Sequence, residues 1–420
     1  MVIMRGETFR EKFPPNLLQK LFIKRAAKYF AEGYLKKFPF RRGQNLTCAS
    51  VLWYICKDVI MFPEGNDPGG SIPDPHLRSS AKEAVMTKKY ASLQVLRGIA
   101  AVMIVIGHAT ETLGKRCGAG VEMFFIISGF VMMYSTEKGL DSFFLRRAVR
   151  LVPLYWIVTG AFVVLVRPDT FTPAYFLRSL FFIEYRTMPI LSVGWTLNVE
   201  VRFYILFWLA ALIGKKYRGA VCAVLCAGWC AVNVIFFRGG CVPPLMPLAF
   251  VMGIAVYYLR RVPERIPRKP GHMISAALLV ILSLWFVNGR LAGRLLWDGP
   301  ANAWSLWRPL VYGIPALVVM MSVMYLIRDG SGAVTGKLAR LGDMSYSLYL
   351  WHIVVQSLIV IFFEKVGYTV TPPSTLRFMA LTLTASLVVA YYSYKYVEKP
   401  MTDWLRGKLP RVKKRADGKN

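Results

Sequence analysis

"LQVLRGIAAVMIVIGHATETL", residues 93–113, is apolar enough to cross a membrane, yet it contains Arg97 and His108. Ionisable side chains inside a spanning helix are costly and mark function by default. Eleven positions separate the two. At about 100° per residue they return to nearly the same face, roughly 16 Å apart along the axis. One side of one helix thus carries two polar groups at two depths. Bland readings exist for each taken singly: Arg97 snorkels to the nearer interface, and His108 bonds a neighbouring helix. The shared face points instead to a common cavity.

The rest of the chain fits that membrane reading. Of 420 residues, 55% are apolar and only 18% charged, where soluble domains are about a quarter charged. The formal net charge is +30. Its basic residues fall in short bursts between long apolar runs, with no aromatic-lined groove motif, which argues against a nucleic-acid partner and for a lipid bilayer. Ten spans are predicted, at about 93–113, 119–136, 151–167, 193–213, 219–237, 242–259, 273–288, 309–327, 344–363 and 376–396, each near the length that crosses ~30 Å of hydrocarbon. "AYFLRSLFFIEY", after Thr172, is too short to span and is expected at the interface. If the first span starts in the cytoplasm, the connections on that side hold about 23 Lys and Arg, against about 11 on the other. The predicted fold is therefore all-α and polytopic, with about ten transmembrane helices and both termini cytoplasmic.

Residues 1–85 mix charge, proline and glycine and are read as a poorly ordered basic extension, with Met86 as an alternative start. The membrane domain covers 86–400, and 401–420 form a basic cytoplasmic tail. Seven cysteines at irregular spacing make no disulfide or metal framework. Cys222, Cys226 and Cys230 share one helix face and read as small packing residues. No metal site is expected.

Several other polar residues interrupt apolar runs. Glu122 opens the second span, and Ser128–Gly129 sit near its middle, where a small pair permits close helix approach. The connection "FFLRRAVRLVPLYW" puts Arg146, Arg147 and Arg150 beside the third span. They satisfy the positive-inside rule or form a phosphate clamp, which guanidinium forks suit. In "SVGWTLNVEVRFYILF", Trp195 is either an aromatic-belt anchor or part of a site. Glu200 and Arg202 point apart on a helix, so Glu200 must find a partner or a watery cavity elsewhere. In "LGDMSYSLYLWHIVV", Tyr346, Tyr349 and His352 drift slowly around one face and suggest a lined cavity.

Taken in order, these segments resemble the acyltransferase 3 family of membrane acyltransferases. The matching stretches are Arg97-x10-His108, "FFIISG" at 124–129, "RRAVRLVPLYW" at 146–156, "WTLNVEVRFY" at 195–204, "SYSLYLWH" at 345–352 and "VEKP" at 397–400. The opening "SLQVLRGIAA" and the compact length resemble the bacterial exopolysaccharide-acetylating members; the 85-residue extension departs from them. The resemblance implies transfer of an acyl group, by default acetyl, from cytoplasmic acyl-CoA to a hydroxyl of a glycan or lipid-linked sugar outside the bacterial inner membrane. Arg97, Arg147 and Arg150 are then expected to bind acetyl-CoA or another acyl-CoA, with His108 as general base on the acceptor hydroxyl. Glu200 or Glu122 orients His108 or binds the sugar, and Ser128 is a candidate oxyanion donor. Glu122, Trp195, Tyr349 and His352 are expected to line the acceptor site. A transporter or flippase would show repeat halves or broken spans at matching positions, and neither is present. A membrane scaffold or sensor has no need of the Arg97/His108 pair.

Overall fold

A computed structural model describes residues 91–109, 118–169 (without 138 and 141), 171–183, 187–236, 242–260, 267, 271–279 (without 276), 308–327, 333–367 and 376–409. Helix is the only regular structure among them, as expected for apolar segments that must satisfy their backbone hydrogen bonds internally. In chain order the helices are α1 (Ala91–Ala109), α2 (Ala119–Ser135), α3 (Phe143–Val166), α4 (Pro173–Leu180), α5 (Gly194–Leu212), α6 (Arg218–Phe236) and α7 (Pro247–Leu259). They continue with α8 (Ile314–Leu326), α9 (Ala333–Asp343), α10 (Ser345–Lys365), α11 (Leu376–Ser393) and α12 (Lys399–Gly407). Wider π turns, Pro309–Gly313 and Tyr394–Glu398, lead into α8 and α12.

Among the described residues, six segments are long and apolar enough to cross a membrane: α1, α3, α5, α6, the π turn with α8, and α10. α2 and α7 are apolar but shorter. The predicted span 273–288 lies mostly outside the described residues, as do the extension 1–85 and the last residues of the tail. Two sequence readings change. The arginines Arg146, Arg147 and Arg150 are not in a connection: α3 begins at Phe143, so they occupy its first turns. Residues 333–343, read as part of a connection, form α9. The segment expected at the interface contains the short α4, started by Thr172, whose side chain accepts a hydrogen bond from the Tyr175 amide.

The bundle is held by aromatic stacking and by glycine crossings. Phe203 stacks on Phe250 at 3.9 Å, and Phe125 packs on the same ring at 4.6 Å. All three are buried. At that level α2 and α7 touch backbone to backbone. A Cβ added to Gly129 would sit 2.1 Å from the Phe250 carbonyl oxygen, and one on Gly253 would sit 2.0 Å from that of Ile126. Overpacking usually costs about 1–3 kcal/mol, and a backbone obstacle has little room to yield. Gly253→Ala is therefore expected to lower the thermal midpoint of the detergent-solubilised protein by several degrees, and an unchanged midpoint would refute the crossing. Cys222, Cys226 and Cys230 are buried free thiols on α6. The opposite side of α6 exposes Val224 and Ile235, as a lipid-facing surface should.

Candidate active site

Two polar centres lie along α1, one around Arg97 and one around His108. The first is an arginine cluster ringed by carboxylates. Arg97 interacts electrostatically with Arg150, Glu398, Glu200 and Asp343, and its Nη1 donates to Gln94 Oε1 at 3.3 Å. Arg147 donates to Ser135 Oγ at 2.8 Å, and its guanidinium lies 5.8 Å from the centre of the Tyr204 ring. The first turns of α3 thus face the end of α2, because Arg147 and Arg150 are three apart on one side. Glu398, at the end of the π turn after α11, accepts a 2.6 Å bond from Ser347. Burial pushes the carboxyls of Asp343 and Glu398 up, and the nearby Arg97 and Arg150 pull them partly back.

Glu200 belongs to this end of the molecule. Its Oε1 accepts from Ser128 Oγ at 2.7 Å and from Tyr204 at 2.5 Å, and it interacts with Arg97 and Arg147. The partner that the sequence reading demanded for Glu200 is therefore Ser128 together with Tyr204. The Ser128 proton is committed to that carboxylate, and its neighbour Gly129 serves the α2–α7 crossing.

The second centre is a histidine pair. His108 Nδ1 lies 2.9 Å from the Ile104 carbonyl and 3.4 Å from His352 Nε2; the ring centroids are 5.0 Å apart. His352 is buried, with Nδ1 3.3 Å from the Leu348 carbonyl. Carbonyls only accept, so both Nδ1 atoms carry hydrogen. In the neutral tautomer that these bonds select, His352 Nε2 faces His108 Nδ1 and His108 Nε2 carries no hydrogen. Gln356 Nε2 donates to the His108 carbonyl at 2.7 Å and closes the end of α1. His108 lines a cavity of about 400 Å³ together with Val166 and one face of α10: Ile353, Gln356, Ser357, Val360, Ile361 and Glu364.

Other residues expected here make contacts of their own. Glu122 is buried and ion-paired with Arg308, Oε1 to Nε at 2.5 Å. Arg308 also donates to the Gly118 carbonyl and to Glu122 Oε2. The Tyr349 hydroxyl donates to the Val193 carbonyl at 2.8 Å and meets Thr196 Oγ1 at 2.6 Å. Tyr346 donates to the Leu151 carbonyl. The tyrosine stripe therefore staples α10 to α3 and to the start of α5, and only His352 reaches the histidine centre. Trp195 is half-buried against the main core. Gln94, Asp343, Arg308 and Gln356 escaped the sequence reading. A usable signal existed for Gln356, which stands four and eight residues before Val360 and Glu364 on one face of α10, but its partner is a backbone carbonyl on another helix. Among the described residues, no three His, Cys, Asp or Glu side chains gather as a metal site.

Membrane-length helices with buried charge at one end and a histidine pair at the other define a polytopic membrane protein with two internal polar centres. The acyltransferase domain model of the acyltransferase 3 family matches residues 90–394, and the chain belongs to that family. It is thus a multi-pass membrane acyltransferase. It is 29% identical over 333 residues to the exopolysaccharide production protein ExoZ of Rhizobium meliloti, covering 73% of this chain and 96% of that protein. It is 21% identical over 372 residues to the peptidoglycan O-acetyltransferase OatA of Listeria monocytogenes, covering 75% of this chain and 56% of that one. The chain thus spans about half the length of the latter. No solved structure matches it.

Proposed function

We propose that this protein carries acetyl from acetyl-CoA, presented at the cytoplasmic face of a bacterial inner membrane, to a hydroxyl of an exopolysaccharide or its lipid-linked precursor outside. In this reading the membrane domain runs over 86–400 with ten spans and both termini inside. Arg97, Arg147 and Arg150 receive the phosphates of the donor. The pantetheine arm then threads the roughly 16 Å between the levels of Arg97 and His108. The acceptor enters the cavity beside His108, where Gln356, Ser357 and Glu364 supply polar contacts.

Chemistry follows from the tautomer. His108 Nε2 takes the proton of the acceptor hydroxyl as that oxygen attacks the thioester carbonyl. The tetrahedral intermediate collapses, the carbon–sulfur bond breaks, and the imidazolium returns the proton to the departing thiolate. The acetyl ester and free coenzyme A are the products. His352 stays neutral and holds His108 Nδ1–H. Glu200 and Ser128 act at the arginine end, where the carboxylate balances the guanidiniums. The observation that supports this reading best is His108 on the wall of a cavity, eleven residues along α1 from Arg97 and its neighbour Arg150.

The test uses purified protein in vesicles, with radiolabelled acetyl-CoA on the side of the arginine cluster and total exopolysaccharide on the other. Labelled glycan and stoichiometric thiol release are expected; thiol release without labelled glycan would overturn the acceptor assignment. Arg150→Gln is expected to raise KM for acetyl-CoA about tenfold, with kcat within about twofold, because a phosphate contact far from the reacting carbon binds ground and transition states alike. A fall in kcat at unchanged KM would remove Arg150 from donor binding.

A further inference from the structure

Arg97 has four charged neighbours, Arg150, Glu398, Glu200 and Asp343, so charge alone does not single out what aims it. The hydrogen bonds do. Arg97 Nη1 donates to Gln94 Oε1 at 3.3 Å, and Gln94 Nε2 donates to Asp343 Oδ1 at 2.8 Å. Gln94 and Arg97 lie three apart on one face of α1, as neighbours on a helix do. A guanidinium only donates and a carboxylate only accepts, so the amide between them has one permitted orientation. Oxygen faces the cation and NH2 faces the anion.

The carboxylate at the end of this chain is delivered by α9. Its penultimate residue, Gly342, meets the α1 backbone directly: a Cβ there would sit 1.9 Å from the Gln94 carbonyl oxygen. A Cβ on Gly98 would in turn sit 3.0 Å from the Gly342 amide nitrogen. Two glycines thus bring the end of α9 to backbone distance from α1, one residue before Asp343 and beside Gln94. Asp343 faces Arg150 and Lys399 as well as Arg97. We infer that Asp343, acting through Gln94, is a positioning residue that fixes the Arg97 guanidinium for the donor's phosphates. This rests on the reading of Arg97 as a donor-binding residue.

The experiment measures dissociation constants of coenzyme A and of pantetheine, which lacks the nucleotide phosphates, for the full chain in lipid nanodiscs. The native protein is expected to bind coenzyme A more tightly than pantetheine. Asp343→Ala and Gln94→Ala should each weaken coenzyme A about tenfold while shifting pantetheine far less, as loss of a charge-assisted hydrogen bond predicts. The double variant should be no weaker than either single one, since one chain of contacts is broken only once. Asp343→Asn keeps an acceptor for Gln94 and should recover most of the affinity. Native-like coenzyme A binding by both alanine variants, additive losses, or an Asn variant as weak as the Ala variant would overturn the relay. Should Asp343→Ala fail to accumulate, Gln94→Ala and Asp343→Asn decide the matter. A native protein that binds coenzyme A and pantetheine equally would sink the phosphate role of Arg97 itself, and the relay with it.

Discussion

His108→Ala is expected to cut acyl transfer by about 10²–10⁴-fold, the usual contribution of a positioned general base. The loss should appear in kcat, with KM for acetyl-CoA nearly unchanged, because the donor phosphates are held a helix length away. Folding should survive. His108 is at the last turn of α1, and among the described residues its ring bonds the Ile104 carbonyl of its own helix and His352. His108→Gln keeps polar character without a base and should be as inactive as alanine. His352→Gln can still accept from His108 Nδ1–H and should retain more activity than His352→Ala. If His108→Ala acetylates normally at native membrane levels, the general-base mechanism is wrong.

Glu122→Ala is expected to be the most damaging change to stability. Its carboxylate is fully buried and paired with Arg308, whose side chain is 11% exposed. Removing one member of a buried pair strands the other charge and costs about 3–5 kcal/mol. Replacing both with apolar residues of similar size removes that penalty. Glu122→Ala should therefore lower the thermal midpoint sharply or prevent accumulation, while Glu122→Leu with Arg308→Met should recover most of the loss. A single variant as stable as the native protein would show that the pair bolts nothing. With that pattern of losses, the pair is assigned to joining α2 to the turn before α8.

Both results concern residues that a linear reading had noticed and only partly understood. Glu122 stands out as a charge in an apolar run, but its partner Arg308 lies 186 positions later and nothing local to the chain joins the two. Glu200 was seen to need a partner, and two were found, Ser128 and Tyr204. The first is 72 positions away on another helix; the second is one turn along the same one. Tyr346, Tyr349 and His352 were legible as a polar stripe. Which of them bonds carbonyls and which reaches His108 depends on what stands opposite each.

The sequence by itself determined the membrane class, most of the long apolar helices and the family. These follow from quantities local to the chain: hydropathy over about twenty residues, helical periodicity, and motifs in order. It also determined that Arg97 and His108 share a face at two depths, since helix geometry alone fixes that. Only the tertiary structure decided which polar groups meet. Glu200 went to the arginine cluster, His352 to His108, Glu122 to Arg308 and Asp343 to Gln94. Buried polar atoms must find partners, but in a bundle the partner comes from whichever helix packs alongside. That choice is made by backbone crossings such as Gly129 with Gly253 and Gly98 with Gly342, between residues far apart in sequence.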